Sequence, residues 1–405
     1  MKNKNFIIVV SGQIISLLGN AIQRFCMSLY ILDLTGSAAI FSTILAISTI
    51  PYILFAPIAG LLADTVNRKK IMVYLDFFSF ILMFIYSIIL ISGNDNTIIV
   101  GTVMFFLSII YTLYSPSVTA SIPQIVEKEK LASANGIIQQ VGAIVNLLGP
   151  IVAGLLYSFV EIKIIVIINA ISFLLSAILE LFLCIPDLET KEKFKNPIVQ
   201  SLKEMKKSFI YLKEEKKIVL GIIISYALTN IFVVPILSVV SPYFIKIILN
   251  MPASIYGFVE AVFVSGMIFG GLMITFKPKI FKMKEIHKTM YLMVIGIIIM
   301  GIATYLKTEK LFVVILYSIG GLGIMLSLAL SNIISLTYIQ QEVKEDMLGK
   351  VSAFSTAVAT ASVAPGQLIY GQVIDINLSL YIILLISLIL SMGVVRFLKW
   401  NVRNI

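Results

Sequence analysis

The chain has 405 residues, of which 59% are hydrophobic and 13% are charged, and its formal net charge is +10 at pH 7. Soluble globular domains carry about 25% charged residues, so this composition excludes an ordinary soluble protein and indicates a chain embedded in lipid. Only one histidine and two cysteines occur, too few for the usual imidazole chemistry of hydrolases or for a zinc site. We therefore predict no enzyme activity, no cofactor and no metal site.

Apolar segments long enough to cross a bilayer recur along the whole sequence. A spanning helix needs about 20 mostly apolar residues. The first segment could begin a signal peptide, but it lacks a small-residue cleavage site and further spans follow, so we interpret it as a membrane helix. The fold class predicted is an all-α polytopic membrane protein with twelve spans in two six-helix bundles, at 6–32, 38–63, 70–92, 97–122, 132–160, 163–185, 218–246, 254–276, 288–306, 310–340, 348–375 and 377–398.

The basic residues are distributed unevenly between the two sides of these spans. If the N-terminus lies inside the cell, all but five of the 31 Lys and Arg residues face the cytoplasm. This asymmetry follows the positive-inside rule and predicts that both termini are cytoplasmic in the cell membrane. The positive charge therefore reports topology, and we expect no nucleic-acid partner. The five exceptions are Lys163, Lys246, Lys307, Lys310 and Arg24.

One long polar segment divides the chain into halves. We predict an N-terminal bundle at 1–185, a cytoplasmic linker at 186–217 and a C-terminal bundle at 218–405, in a monomer. The linker is predicted to form an amphipathic helix, which either lies on the inner leaflet or straps the two bundles together. Its apolar residues at helical spacing are Ile198, Leu202, Met205, Phe209 and Leu212.

The two halves share weak internal similarity. The stretch GLLAD at 60–64 aligns with GLMIT at 271–275, and Asn20 in the first span has a counterpart in Asn230 of the seventh. Related bundles around a central site are typical of transporters that work by alternating access. We therefore predict a transporter of small molecules.

The loop GLLADTVNRKK at 60–70 carries the pattern G-x-L-x-D-x-x-x-R-K. This signature, together with twelve spans in two halves, resembles the major facilitator superfamily over the whole chain. The resemblance implies a conformational latch in which Asp64 and Arg68 act near the start of span 11; a plain positive-inside loop is the alternative. Asn67 replaces the usual Gly, and we expect it to adopt a left-handed backbone. The latch residues are Gly60, Asp64, Arg68 and Lys69.

Finer features favour export over uptake. The stretches at 30–64, with LTGSA, and at 122–136 are similar to the group that holds macrolide efflux proteins and siderophore exporters. Span 5 partly matches the antiporter motif of the superfamily, although Val145 and Ala153 replace two of its glycines. Small residues and a proline suit a tight hinge between helices. The matching residues are Gly136, Gly149, Pro150 and Gly154.

Charged residues inside the membrane need a reason, since each costs about 2.5–3.5 kcal/mol at the bilayer centre. Arg24 lies about 13 Å below the outer end of span 1, on one stripe with Gln13 and Asn20. Glu260 lies about 9 Å deep in span 8, so we expect it to pair with Arg24 or to share a cavity; a structural hydrogen bond is the alternative. Glu260 and Asp76 are the candidates for proton coupling, although Asp76 also suits an inner gate network.

Three other carboxylates have simpler interpretations. Glu180 lies five residues before the predicted end of span 6, and we expect it to reach the membrane interface. Asp33 and Asp375 end their helices on the outer side, where we expect solvent around them.

In the resembled family, spans 1, 4, 7 and 10 line the central cavity. The polar residues there form a large, aromatic and sparsely charged lining, which suits amphiphilic cargo, although interhelical packing explains any single one equally well. No P-loop occurs, so ATP does not drive transport within this chain. We predict secondary active export of macrolide-like drugs or siderophores by proton antiport; the alternatives are a nutrient symporter and a non-transporting sensor. The cavity candidates are Gln13, Asn20, Arg24, Tyr111, Ser115, Tyr226, Asn230, Ser331 and Tyr338.

Overall fold

The computed structural model describes residues 4–186 and 197–403, and the regular structure in these two ranges is entirely helical, which confirms the all-α class. The helices before the linker are α1 Lys4–Thr35, α2 Ala38–Leu54, α3 Ala56–Thr65, α4 Arg68–Ile91, α5 Thr97–Ile125, α6 Leu131–Phe159 and α7 Ile162–Leu181. The linker contains α8 Pro197–Glu214. The helices after the linker are α9 Lys217–Phe232, α10 Ser241–Tyr243, α11 Ala253–Phe276, α12 Ile286–Tyr305, α13 Lys310–Glu342, α14 Glu345–Asp375 and α15 Leu380–Asn401.

The predicted number of spans agrees with these helices. Eleven segments of the described chain are long and apolar enough to cross a bilayer, and α2 with α3 adds a twelfth if the bent pair is one span. The pair bends by 43°, with Pro51 inside α2 and Pro57 in the first turn of α3. Proline lacks an amide donor and clashes with the preceding turn, which accounts for the break. The seventh span continues from α9 to Ile248 through two π-helical turns around α10.

Local sequence explains where several helices begin. Asn96 caps α5, and its side-chain oxygen accepts hydrogen bonds from the amides of Ile98 and Ile99 at 3.0 and 3.1 Å. Gly36 has φ +61° in the turn between α1 and α2, a conformation that glycine adopts without a steric penalty. The left-handed conformation expected at Asn67 is wrong: this residue has φ −55° and caps α4 by accepting from the Lys70 amide.

The helices group into two compact units. The first unit comprises Met1–Leu34 and Ile47–Ser201, and the second comprises Thr35–Ala46 and Leu202–Ile405. In the first, α4 packs against α5 and α7, and α3 packs against α5. In the second, α13 packs against α11 and α12, α15 packs against α12 and α9, and α14 packs against α9. Each unit thus has its own helical core.

Small residues allow close helix packing in the second unit. A Cβ atom added to Gly296 of α12 would collide with the carbonyl oxygen of Gly320 in α13, and one added to Gly266 of α11 would collide with that of Leu322. Backbone of a neighbouring helix cannot yield as a flexible side chain can, so these positions require glycine.

The described part of the linker is a helix that joins the core of the second unit; residues 187–196 of the predicted linker lie outside the described residues. Tyr211 and Leu212 of α8 are buried in a cluster with Val351 and Phe354 of α14. Two ion pairs fix the end of the linker, because Lys216 bonds Glu342 and Lys344 bonds Glu215, each at 2.8 Å. The hydrogen bond to its partner is the main cause that raises the pKa of each lysine, so both stay charged at neutral pH.

Candidate functional site

A polar seam joins α1 and α7 in the first unit. Gly12 and Gly19 allow α7 to approach, and a Cβ atom added to Gly12 would lie 3.4 Å from a carboxylate oxygen of Glu180. The Ser176 hydroxyl donates to the Gly12 carbonyl at 3.2 Å. Farther along the seam, the Asn169 amide donates to the side-chain oxygen of Gln23 at 3.1 Å. The contact between these helices therefore depends on matched polar groups.

Two buried carboxylates lie beside this seam. Asp76 of α4 is 2% exposed and Glu180 of α7 is 0% exposed, so the interfacial position expected for Glu180 is wrong. Ser16 donates to Asp76 Oδ2 at 2.8 Å, and its oxygen lies 3.0 Å from that of Ser176. Tyr114 of α5 donates to Glu180 Oε1 at 2.6 Å, whereas Glu180 Oε2 is buried without a hydrogen-bond partner. The protein therefore satisfies only part of the hydrogen-bonding capacity of these two carboxylates.

A cavity of about 20 Å³ adjoins Asp76 in the first unit. This volume is sufficient for one water molecule. Tyr111 also packs edge-on against Tyr52, with ring centroids 6.0 Å apart, and interacts electrostatically with the guanidinium of Arg24. The cavity is lined by Ser16, Leu17, Asn20, Asp76, Ser79, Leu107, Ile110, Tyr111, Tyr114 and Phe173.

The second unit has a cavity of about 10 Å³ with an uncharged lining. The Tyr226 hydroxyl donates to the Ser331 carbonyl at 2.7 Å, and the hydroxyls of Ser331 and Thr289 lie 3.0 Å apart. These bonds tie α9 and α12 to α13. The lining consists of Ile222, Ser225, Tyr226, Thr229, Ile286, Met290, Leu328, Ser331, Ser335 and Leu398.

The nine candidates for the substrate cavity do not all line the two cavities. Asn20 and Tyr111 line the first cavity, and Tyr226 and Ser331 line the second. Asn230 donates to the carbonyl of Ala359 at 2.8 Å, which links α9 to α14. The other four differ in burial, since Arg24 and Ser115 are exposed, while Gln13 and Tyr338 are partly buried.

Glu260 is partly buried on α11. It belongs to the second unit and Arg24 belongs to the first. The pairing of Glu260 with Arg24 stays a prediction.

In the loop at 60–70, a side chain is held by a hydrogen bond to the backbone of the same loop. The Arg68 side chain donates from Nε to the Ala63 carbonyl at 2.9 Å, while Gly60 and Asp64 are exposed and Lys69 is partly buried. Arg68 is thereby held against the end of α3. The latch role of these residues stays a prediction.

Helix α6, which carries the hinge motif, approaches α1 closely. A Cβ atom added to Gly149 would lie 3.1 Å from that of Ala21, and the Cys26 thiol donates to the Ala153 carbonyl at 3.6 Å. Gly154 is buried, whereas Gly136 is exposed with open space around it. Within the motif, α1 and α6 are therefore in contact at Gly149 and at Ala153.

The two outer carboxylates, Asp33 and Asp375, are exposed as expected, and each also has a protein partner. Asp33 accepts a hydrogen bond from Tyr157 at 2.8 Å. Asp375 accepts from the Ser37 hydroxyl and, at 2.8 Å, from the Ala38 amide at the start of α2. A carboxylate at a helix N-terminus satisfies a free amide and interacts favourably with the helix dipole.

Comparison with known proteins gives consistent matches over nearly the full chain. The model of the Major Facilitator Superfamily matches residues 9–367. Macrolide efflux protein A of Streptococcus pyogenes is 24% identical over 404 residues, which cover 96% of this chain and 94% of that protein. Among solved structures, a bacterial homologue of the iron transporter ferroportin matches over 99% of both chains with a TM-score of 0.74 and 16% identity. A D-xylose-proton symporter matches over 98% of this chain and 96% of that chain, with a TM-score of 0.66 and 13% identity. At such identities, the structural matches show the fold alone.

Proposed function

The chain belongs to the Major Facilitator Superfamily, and from that premise we propose that it exports amphiphilic small molecules in exchange for protons. The substrate class proposed is macrolide-like drugs or siderophores. The observation that carries the proposal is the similarity to macrolide efflux protein A, which extends over 96% of this chain. Both termini then lie in the cytoplasm, as the distribution of basic residues indicates.

Polar residues of spans 1, 4, 7 and 10 bind the substrate in this proposal, and access to it alternates between the two sides of the membrane. The candidates are Gln13, Asn20, Arg24, Tyr111, Ser115, Tyr226, Asn230, Ser331 and Tyr338. Aromatic rings and hydroxyls dominate this set. Such a lining binds apolar surface and a few dispersed polar groups, as an amphiphilic compound presents.

The loop of Gly60, Asp64, Arg68 and Lys69 serves in this proposal as a cytoplasmic latch. The contact of Arg68 with the end of α3 supports it, because this bond ties the Arg68 side chain to the carbonyl of Ala63, the residue before the exposed Asp64. Helix α6 serves as the hinge, supported by its close approach to α1 at Gly149.

Transport by purified protein in liposomes tests the proposal. An inward gradient of a macrolide should acidify the medium, because an antiporter releases protons as the substrate enters. Alkalinisation would identify a symporter instead, and binding without flux would identify a sensor. Liposomes without protein provide the baseline for substrate leakage. In cells, expression should lower macrolide accumulation, and equal accumulation with and without the protein would contradict export.

A further inference from the structure

The carboxylates of Asp76 and Glu180 carry an inference about where the coupling proton binds. Both side chains are buried in the first unit, and burial of an uncompensated charge is strongly unfavourable. The contacts of this pair among the described residues come from neutral groups, namely the hydroxyls of Ser16, Ser176 and Tyr114. Two negative charges in this setting would also repel each other.

The unpartnered oxygen of Glu180 indicates what is missing. Glu180 Oε1 accepts from Tyr114, while Oε2 is buried and accepts nothing. A buried acceptor without a partner carries the full cost of its lost hydration. A proton on the pair removes one of its two charges.

The other titratable and charged groups nearby are few. Tyr114 and Tyr111 of α5 face the cavity beside Asp76, and Arg24 of α1 interacts with Tyr111. The seam residues of α1 and α7 that face the pair are neutral. The cavity also reaches Asn20 and Tyr111, which belong to the proposed substrate site and keep part of their surface exposed. A single water there can connect the pair with that site.

We propose that Asp76 and Glu180, assisted by the hydroxyls of Ser16 and Tyr114, form a proton-binding site inside the first unit. The pair binds one proton at a time, and the proton belongs to the pair rather than to either residue. The coupling role of this proton rests on the proposed function, in which its release accompanies substrate binding near Asn20 and Tyr111. Binding of the proton itself does not depend on export.

Infrared spectroscopy of the purified protein without substrate tests the site directly. The wild-type protein should show the carbonyl stretch of a protonated carboxyl group that is buried and that disappears as the pH is raised. Asp76→Asn and Glu180→Gln should each remove or shift this band. Glu161→Gln is the matched control, because that carboxylate is exposed and pairs with Lys163, and its spectrum should equal that of the wild type. Thermal unfolding of each variant verifies that it is folded.

Tyr114→Phe keeps both carboxylates and removes one donor. It should move the midpoint of the band's titration by about one pH unit, since a hydrogen bond to a charged group has that magnitude. No pH-dependent band in the wild type, or the same band in both carboxylate variants, would overturn the proposal. A band that responds to sodium at constant pH would also overturn it, in favour of a cation site.

The coupling role is measured in the liposome assay. Glu180→Gln should lower the stimulation by a pH gradient by about tenfold or more, whereas exchange of labelled for unlabelled substrate should stay within about threefold. Unchanged stimulation would refute the coupling role even if the infrared band is present. Absence of macrolide transport in the wild type would refute the proposed function and leave the infrared result valid.

Discussion

In the first unit, helices α1, α4, α5 and α7 surround a cavity of about 20 Å³ that adjoins the carboxylate of Asp76. In the second, α9, α12, α13 and α15 surround a cavity of about 10 Å³ lined by hydroxyl and apolar groups. These are spans 1, 3, 4 and 6 of one half and spans 7, 9, 10 and 12 of the other. Equivalent helices of the two halves therefore enclose a cavity beside a carboxylate in the first unit and a cavity with an uncharged lining in the second.

The groups at the two cavities differ in whether their charge can change with pH. Hydroxyl groups such as that of Tyr226 hold helices together through hydrogen bonds, and these groups stay neutral at every physiological pH. The carboxylates Asp76 and Glu180 change their charge when a proton binds. Among the charged side chains of the described residues, these two are the fully buried ones, so the first unit is the one whose buried charge can respond to protons in the proposed mechanism.

The largest effect we expect is in the packing of the second unit. Gly296→Val forces a side chain against the Gly320 carbonyl and Ile324, and overpacking of this kind costs about 1–3 kcal/mol or more. Most folded protein should be lost, as measured by the monodisperse peak in size-exclusion chromatography. Gly301→Ala on the same helix is the control, because its nearest neighbour is 3.9 Å away. A normal yield of Gly296→Val would mean that tight packing does not distinguish this unit.

The second effect concerns loops at equivalent positions in the two halves. Asp64→Asn should slow turnover by about fivefold, since a carboxylate that interacts with a helix N-terminus, as the latch proposal requires, contributes about 1 kcal/mol. Substrate affinity should stay within about threefold, because the latch acts on the conformational change and not on binding. Thr275→Ala alters the aligned position of the second half, where the hydroxyl bonds only the Gly271 carbonyl of its own helix, and should leave turnover intact. A selective loss of binding in Asp64→Asn would contradict the latch.

A smaller effect is expected from the hydroxyl network of the second unit. Tyr226→Phe removes the bond to Ser331 and should lower the free energy of unfolding by about 1 kcal/mol. Thermal unfolding in detergent measures the change, with Tyr305→Phe as the control because that residue is 68% exposed. The response of transport to pH should persist in Tyr226→Phe. A changed pH response would assign proton chemistry to the second unit as well.

The smallest effect is expected for Glu260, the carboxylate that lies within a predicted span of the second unit. If the coupling proton binds Asp76 and Glu180, Glu260→Gln should keep most of the stimulation of transport by a pH gradient. The liposome assay compares it directly with Glu180→Gln. Loss of the stimulation in Glu260→Gln would transfer the coupling site to the second unit and reverse the comparison.

The sequence predicts the fold well because apolar length and charge asymmetry are set locally. Asp76 could also be identified, since a carboxylate within an apolar span is conspicuous. Glu180 could not, because its position near the end of span 6 suggests the membrane interface, whereas Tyr114 of α5 and the seam with α1 cover it. Ser16 and Gln23 were missed for a similar reason, as ordinary polar residues gain their roles only from partners that are distant in sequence. The spacing of Gly12 and Gly19 by seven was the available signal for this seam.

The carboxylate pair of the first unit also bears on the energetics of transport. If this pair supplies the coupling proton proposed above, its capacity of one proton implies an exchange ratio of one proton for each substrate molecule. With a neutral substrate, each turnover then carries one net positive charge into the cell, so the membrane voltage contributes to export together with the pH difference. With a singly cationic substrate, the exchange would be electrically silent and only the pH difference would drive it.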